Sequence, residues 1–401
     1  MNRSSSSRKP SVAPGHQLVV EDLLARARLA SGLSDFGDPW FLDPLEQLVG
    51  FVNREADLPS ADVWPVRRIV DMLCDRLKLV DYLKRHPGVH DENVDVAAII
   101  VMHARGGSTL TQRLLGRSRQ LRATYFWELH TPVPLPGEAR GDPAQRIRLG
   151  DEEVAAWARA MPEHSTMHPH DAQFHEEDLV LCDRGFLSYM YSCQFNIPGY
   201  HAWMAAHDET RSYQELRLWL QLLQYQAPQY RGRRWLLKSV HHFIGRNLRT
   251  MFATFPGTKA IMTHRPMDEV IPSLCSVQSM HIRQSGSSSF DHTEMGRRLA
   301  AQYLPALEEM IALRGDMPRE KFIDVQYRDL LANPIGEFER VLDAVGLRVT
   351  PGDLDAASTW MAQNGRETHP PHDYAPEDFG VTASELADTF RFYHDAFAVK
   401  R

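Results

Sequence analysis

Apolar residues recur at helical spacing near the start of the chain. Val20, Leu23, Leu24 and Ala27 share one face, and so do Leu42, Leu45, Leu48, Val49 and Val52. Ile69, Val70, Leu73, Leu77 and Val80 repeat the pattern, with Pro65 suited to a first turn and Pro87-Gly88 to a stop. These periods predict an all-helical preamble of about 75 residues. At Val94 the pattern changes. Val96 to Met102 is a continuous apolar run, as in a strand buried on both faces. Further strand-like runs are Trp235 to Leu237, Ala260 to Thr263 and Phe322 to Val325. Helical patterns separate them at 213–225, 243–255, 270–282 and 296–313. Strands alternating with helices predict an α/β fold whose parallel sheet is covered on both sides.

This reading divides the chain into a disordered tail at 1–15, a helical subdomain at 16–92 and an α/β domain at 93–401. The tail is rich in Ser, Pro and basic residues. Residues 130–210 are the least regular, with many Pro, His and aromatic residues. With the Ser285-Gly286-Ser287-Ser288-Ser289 stretch inside 283–296, they are expected to line or cover a substrate pocket. Tyr189, Tyr191, Phe195, Tyr200 and Trp203 are the aromatic residues assigned to that cover.

Composition narrows the function. The 401 residues are 43% hydrophobic and 24% charged, ordinary for a globular protein. Lys+Arg number 45 against 52 Asp+Glu, a net charge of -7, so no basic field recommends nucleic acid or an anionic membrane as partner. The four cysteines (Cys74, Cys182, Cys193 and Cys275) are scattered without a CxxC pair, against a thiolate zinc site or a disulfide framework. No run is long enough to span a bilayer and the N-terminus lacks a signal-like apolar stretch, so a cytoplasmic location is expected.

In an open parallel sheet, ligands bind beyond the carboxyl ends of the strands. After the first strand comes His103-Ala104-Arg105-Gly106-Gly107-Ser108-Thr109. The glycines let backbone N–H groups gather around an anion at a helix start, and Ser108 and Thr109 add hydroxyl donors. This is not the G-x-x-x-x-G-K-S/T loop, because no Lys precedes Ser108. The strand ending at Thr263 leads into His264-Arg265-Pro266, and Ser273 lies eight residues after Arg265. One Arg and one Ser at that spacing suit a second phosphate.

These motifs resemble the sulfotransferase family that uses 3′-phosphoadenosine 5′-phosphosulfate (PAPS), particularly its bacterial branch. Ala104 to Thr109 matches the segment that grips the 5′-phosphosulfate; Arg265, Pro266 and Ser273 match the 3′-phosphate motif. Trp235-Leu236-Leu237-Lys238-Ser239-Val240-His241-His242 resembles the L-K-S-P-x-H segment, and Tyr327-Arg328-Asp329-Leu330 with Asn333-Pro334 the late strand and turn. Tyr125 to Leu129 and Tyr374 with Phe379-Gly380 extend the likeness from about residue 18 to the end. Ala104, Gly106 and Val240 depart from the pattern, and Gly365-Arg366 is the nearest stretch to the C-terminal basic loop of animal members.

The resemblance implies a P-loop-like fold and transfer of a sulfuryl group from PAPS to a hydroxyl or amine of a small-molecule, lipid or carbohydrate acceptor. It implies Arg105, Gly106, Gly107, Ser108, Thr109, Arg265 and Ser273 as the cofactor-binding set, with 3′,5′-ADP as product. Arg105 and Lys238 would stabilise the leaving phosphate, and no metal is assigned. Two residues are open as the general base: His242, an imidazole, and Glu128, a carboxylate among aromatic residues. His164, His168, His170 and His175 form a second group without a metal-ligand spacing. The alternatives are a P-loop-like ATP-dependent kinase and a non-catalytic nucleotide-binding relative.

Overall fold

The protein is described from a computed structural model covering residues 17–101, 103, 105–160, 162, 168–243, 247–286, 290–364 and 375–401. The expected tail, Ala104, His164, Ser287 to Ser289, Gly365, Arg366 and Tyr374 lie outside the described residues.

Three helices open the chain: α1 (Val20–Ser31), α2 (Leu42–Glu55) and α3 (Trp64–Arg85, with Pro65 in its first turn). Their apolar faces are the expected ones, with Leu45, Leu48, Leu73 and Leu77 fully buried. Each such side chain contributes about 1.5–3 kcal/mol of burial. That cluster also takes in Phe186, Tyr191, Phe195 and Tyr200 from the irregular segment. Buried ion pairs add direction to the contact: Arg76 with Glu215 at 2.6 Å, Arg184 with Asp75 at 2.6 Å, and Arg68 with Asp183.

The sheet has five parallel strands: β1 (Val96–Ile100), β2 (Leu121–Arg122), β3 (Arg234–Lys238), β4 (Lys259–His264) and β5 (Phe322–Gln326). Their order is β2-β3-β1-β4-β5, which confirms the expected α/β class and puts β1 in the centre. Strand β1 is apolar throughout because both its faces are covered. Ile99 and Leu237 pack with the helix Thr210–Gln226, while Ile100, Leu236 and Ile261 face α4 (Ser108–Leu115) and the helix Pro334–Val345.

The chain leaves β1 toward β2 on one side of the sheet and leaves β4 toward β5 on the other. A crevice therefore opens between the carboxyl ends of β1 and β4, where open α/β sheets bind ligands.

The segment at 130–210 is more regular than its sequence suggests. It contains the helices Ala144–Ala160, Tyr189–Phe195 and Pro198–Ala206. The first fully buries only Arg146 and Gly150, and its apolar face of Ile147, Val154 and Trp157 is sparse and half-buried.

Candidate active site

The loop between β1 and α4 is shaped by backbone geometry. Arg105 and Gly107 both adopt the left-handed region, with φ of 69° and 95°. A side chain at Gly107 would put its Cβ 2.7 Å from the Tyr327 ring, so both φ and space require glycine. At Gly106 a Cβ would meet the His103 ring and Thr263 Oγ1 at 3.0 Å each. The room that a serine would need in this loop is thus occupied by His103. Thr263 Oγ1 is buried without a hydrogen-bond partner among the described residues, directly beneath the loop. Tight glycines and the start of α4 form a cradle suited to phosphate oxygens.

Across the crevice, Arg265 follows the last residue of β4. Its Nε donates to Glu269 at 2.9 Å and its Nη1 to the Arg105 carbonyl at 3.1 Å, while its guanidinium stacks 4.7 Å over Tyr327. Ser273 lies on the helix Met267–Gln284 and accepts a hydrogen bond from Arg105 Nε at 2.9 Å. The two anion motifs read separately from sequence therefore meet in one place.

A partly buried network supports the end of β4. His264 bonds Tyr393 at 3.0 Å and Asp324 at 2.8 Å, and Arg314 Nη2 bonds Asp324 at 2.9 Å. Burial raises the Asp324 carboxyl, but hydrogen bonds from His264 and Arg314 outweigh it and hold the group well below the usual carboxylate range.

Lys238, the last residue of β3, is buried. Its ammonium donates to Thr109 Oγ1 at 3.0 Å and to Glu177. Its backbone N–H donates to Asp178 at 2.7 Å, and Asp178 in turn accepts from His242 Nε2 at 2.9 Å. His242 Nδ1 faces the Tyr213 hydroxyl at 2.7 Å. Both ring nitrogens of His242 are thus engaged in the interior, which orients Asp178 and Lys238 and leaves neither nitrogen toward an acceptor. Adjacent His241 is paired with Glu209 at 2.6 Å.

The structure likewise keeps Glu128 away from the open site. Its carboxylate is buried, bonded to Arg122 at 2.7 Å and to the Tyr125 N–H at 3.0 Å, so it caps its own short helix. Neither residue read as a base from sequence lines the cavity beside the loop.

That cavity, of about 200 Å³, runs from Arg105, Ser108 and Thr109 past Glu177 to a ring-lined end. Of the aromatic residues expected in the cover, Tyr189 of the helical core lines it; Tyr191, Phe195 and Tyr200 are buried in that core and Trp203 packs against it. His168 and His170 reach the cavity wall with Glu176, and ligand atoms of the three lie within 4.8 Å of one another. Glu176 bonds His168 at 2.9 Å and also pairs with buried Arg113. Burial raises Glu176, but His168 and Arg113 outweigh it and hold it well below the ordinary carboxylate value. His175 is turned elsewhere, against Tyr125 and Arg117.

Glu177, Trp64, His130 and Trp157 escaped the sequence reading. Glu177 sits in an acidic run with Glu176 and Asp178, where only the fold separates an exposed-looking carboxylate from two structural ones.

A central parallel sheet with a phosphate-type loop, an Arg–Ser pair at its switch point and an adjoining cavity defines an α/β group-transfer enzyme. Comparison with known proteins gives the group: the model of the Sulfotransferase family matches residues 98–351, and the chain belongs to that family. It is similar to the sulfotransferase STF1 from Mycobacterium tuberculosis, with 25% identity and a TM-score of 0.79 over 94% of this chain and 99% of that one. It shares the fold of the sulfotransferase STF9 from Mycobacterium avium, with 23% identity and a TM-score of 0.80 over 95% and 97% of the two chains. No curated protein matches. The protein is a sulfotransferase, as the motifs implied. No described helix is long and apolar enough to cross a membrane.

Proposed function

We propose that the protein transfers a sulfuryl group from PAPS to the hydroxyl of a small-molecule acceptor. The reading rests above all on the meeting of Arg105, Arg265 and Ser273 at the β1/β4 crevice, where hydrogen bonds already link the three residues. PAPS supplies an activated sulfuryl group on a phosphate that leaves readily. The N–H groups of Gly106 and Gly107, with Ser108 and Thr109, would hold the 5′-phosphosulfate; Arg265 and Ser273 would hold the 3′-phosphate. Arg105 and Lys238 would supply fixed positive charge to the phosphate as it leaves. The four cysteines are buried and unpaired, which supports a reducing cytoplasmic setting.

Calorimetric titration with 3′,5′-ADP, 5′-AMP and Mg-ATP tests the donor. Binding of 3′,5′-ADP in strong preference to the others supports PAPS. Preference for Mg-ATP would favour the kinase reading, and binding of none would leave a nucleotide-free relative.

A further inference from the structure

We infer that the cavity takes a planar, ring-bearing alcohol of the phenol class and that Glu177 receives the proton of its hydroxyl. This inference rests on the sulfotransferase reading with PAPS as donor.

The cavity joins two unlike ends. One is the phosphate loop. The other is walled by rings that hold each other in place: Trp157 lies edge-on to Phe126 at 5.5 Å, to His130 at 5.2 Å, to His170 at 5.1 Å and to Trp64 at 6.2 Å. Such a wall offers faces and edges to another flat ring, worth more than burial alone. Charged groups along it already have partners. Arg68 is paired with Asp183, His130 with Glu153 at 2.8 Å, and Glu176 with Arg113 and His168. A sugar could bond Gln194 and Gln278 of the wall, but its remaining hydroxyls would be set against Leu129, Leu179, Val180, Val277 and Met280, at the cost of their desolvation. A flexible alkyl alcohol would lose chain entropy without gaining ring contacts.

Glu177 stands where the two ends join. Its side chain is 23% exposed, and it shares the Lys238 ammonium with Thr109 of the loop. Among the described residues the cavity wall carries two carboxylates, and Glu176 is enclosed by Arg113 and His168. Lys238 links the charge held on the loop to the carboxylate that faces the acceptor. In the step itself, the acceptor oxygen bonds to sulfur as the bond from sulfur to the bridging phosphate oxygen breaks. The acceptor proton passes to Glu177, and the electron pair of the broken bond stays on the phosphate of 3′,5′-ADP.

The test compares wild type and Glu177→Gln with 2-naphthol, 4-nitrophenol, 1-octanol and methyl glucoside as acceptors. Tryptophan fluorescence quenching reports acceptor binding, and calorimetry with 3′,5′-ADP reports the donor site. The expected wild-type result is quenching and turnover with 2-naphthol, and a kcat/KM at least about tenfold lower for octanol and the glucoside. Glu177→Gln should lower kcat for 2-naphthol by about 10²–10⁴-fold, the usual worth of a general base. KM and 3′,5′-ADP binding should be retained, and 4-nitrophenol, largely ionised in mildly alkaline buffer, should lose far less. Preference for octanol or the glucoside would overturn the ring-acceptor assignment. Equal losses for the two phenols would reduce Glu177 to a positioning partner of Lys238. Failure of wild type to bind 3′,5′-ADP would instead overturn the donor reading, while quenching by 2-naphthol still tests the ring-lined end.

Discussion

Arg105 Nε donates a hydrogen bond to Ser273 Oγ at 2.9 Å, across 168 positions of sequence. The arginine of the glycine loop after β1 thus touches the serine eight residues after Arg265, and Arg265 closes the contact by bonding the Arg105 carbonyl. A ligand with phosphates at both ends of its ribose would engage one continuous surface.

Arg265→Ala should therefore weaken 3′,5′-ADP binding by about 1.5–3 kcal/mol, the range for hydrogen bonds to a charged group. Binding of 5′-AMP should change little. Calorimetry with both ligands checks this, and equal losses would count against a 3′-phosphate role for Arg265.

Gly107→Ala should destabilise the fold and loosen the loop. The residue sits at φ 95°, and a Cβ would lie 2.7 Å from the Tyr327 ring. Strain of this kind costs about 1–3 kcal/mol. Thermal unfolding should show a lower Tm, and 3′,5′-ADP affinity should fall with it.

Glu128→Gln separates a structural carboxylate from a catalytic one. Glu128 pairs with Arg122, which is itself buried over Trp235 at 4.3 Å. Removing one charge of a buried pair costs about 3–5 kcal/mol. Denaturant unfolding should register that loss, whereas 3′,5′-ADP binding and kcat measured below the transition should hold. A large fall in kcat with unchanged stability would return Glu128 to the reaction.

Acid should weaken the fold partly through His175. Burial, reinforced by Arg117 and Arg113, pushes its imidazole down to about 3. The unfolded chain, with an ordinary value near 6.5, takes up this proton and the folded chain does not. The contribution is thus fully present above about pH 6.5 and is lost as pH falls toward 3, with a slope of up to about 1.4 kcal/mol per pH unit. In His175→Gln, unfolding free energy between pH 6 and pH 4 (about the midrange of that window) should depend less steeply on pH. An unchanged slope would show that the imidazole is not held neutral.

Local chemistry carried much of the fold in the sequence. The run from Val96 contains a buried strand, Val96–Ile100, whose five residues lie between two helical layers, and the faces of α1, α2 and α3 follow their 3.6-residue period. Strand β2 was invisible, since Leu121–Arg122 is too short to show a period. The helix Ala144–Ala160 is hard to read because its apolar face is sparse and only half-buried.

What the sequence determined by itself was the class: alternating strands and helices, a glycine loop after the first strand, and Arg265 with Ser273 at a spacing that names a family. Those features are legible because each depends on neighbours within a few turns of chain. Tertiary structure decided which polar residues face the cavity. His242 turned inward because Asp178 and Tyr213, distant in sequence, take both ring nitrogens; Glu128 did so because Arg122 takes its charge. Glu177 stayed at the cavity because Lys238 holds it beside Thr109. A buried polar group goes where its partner is, and those partners are assembled only when the sheet is complete.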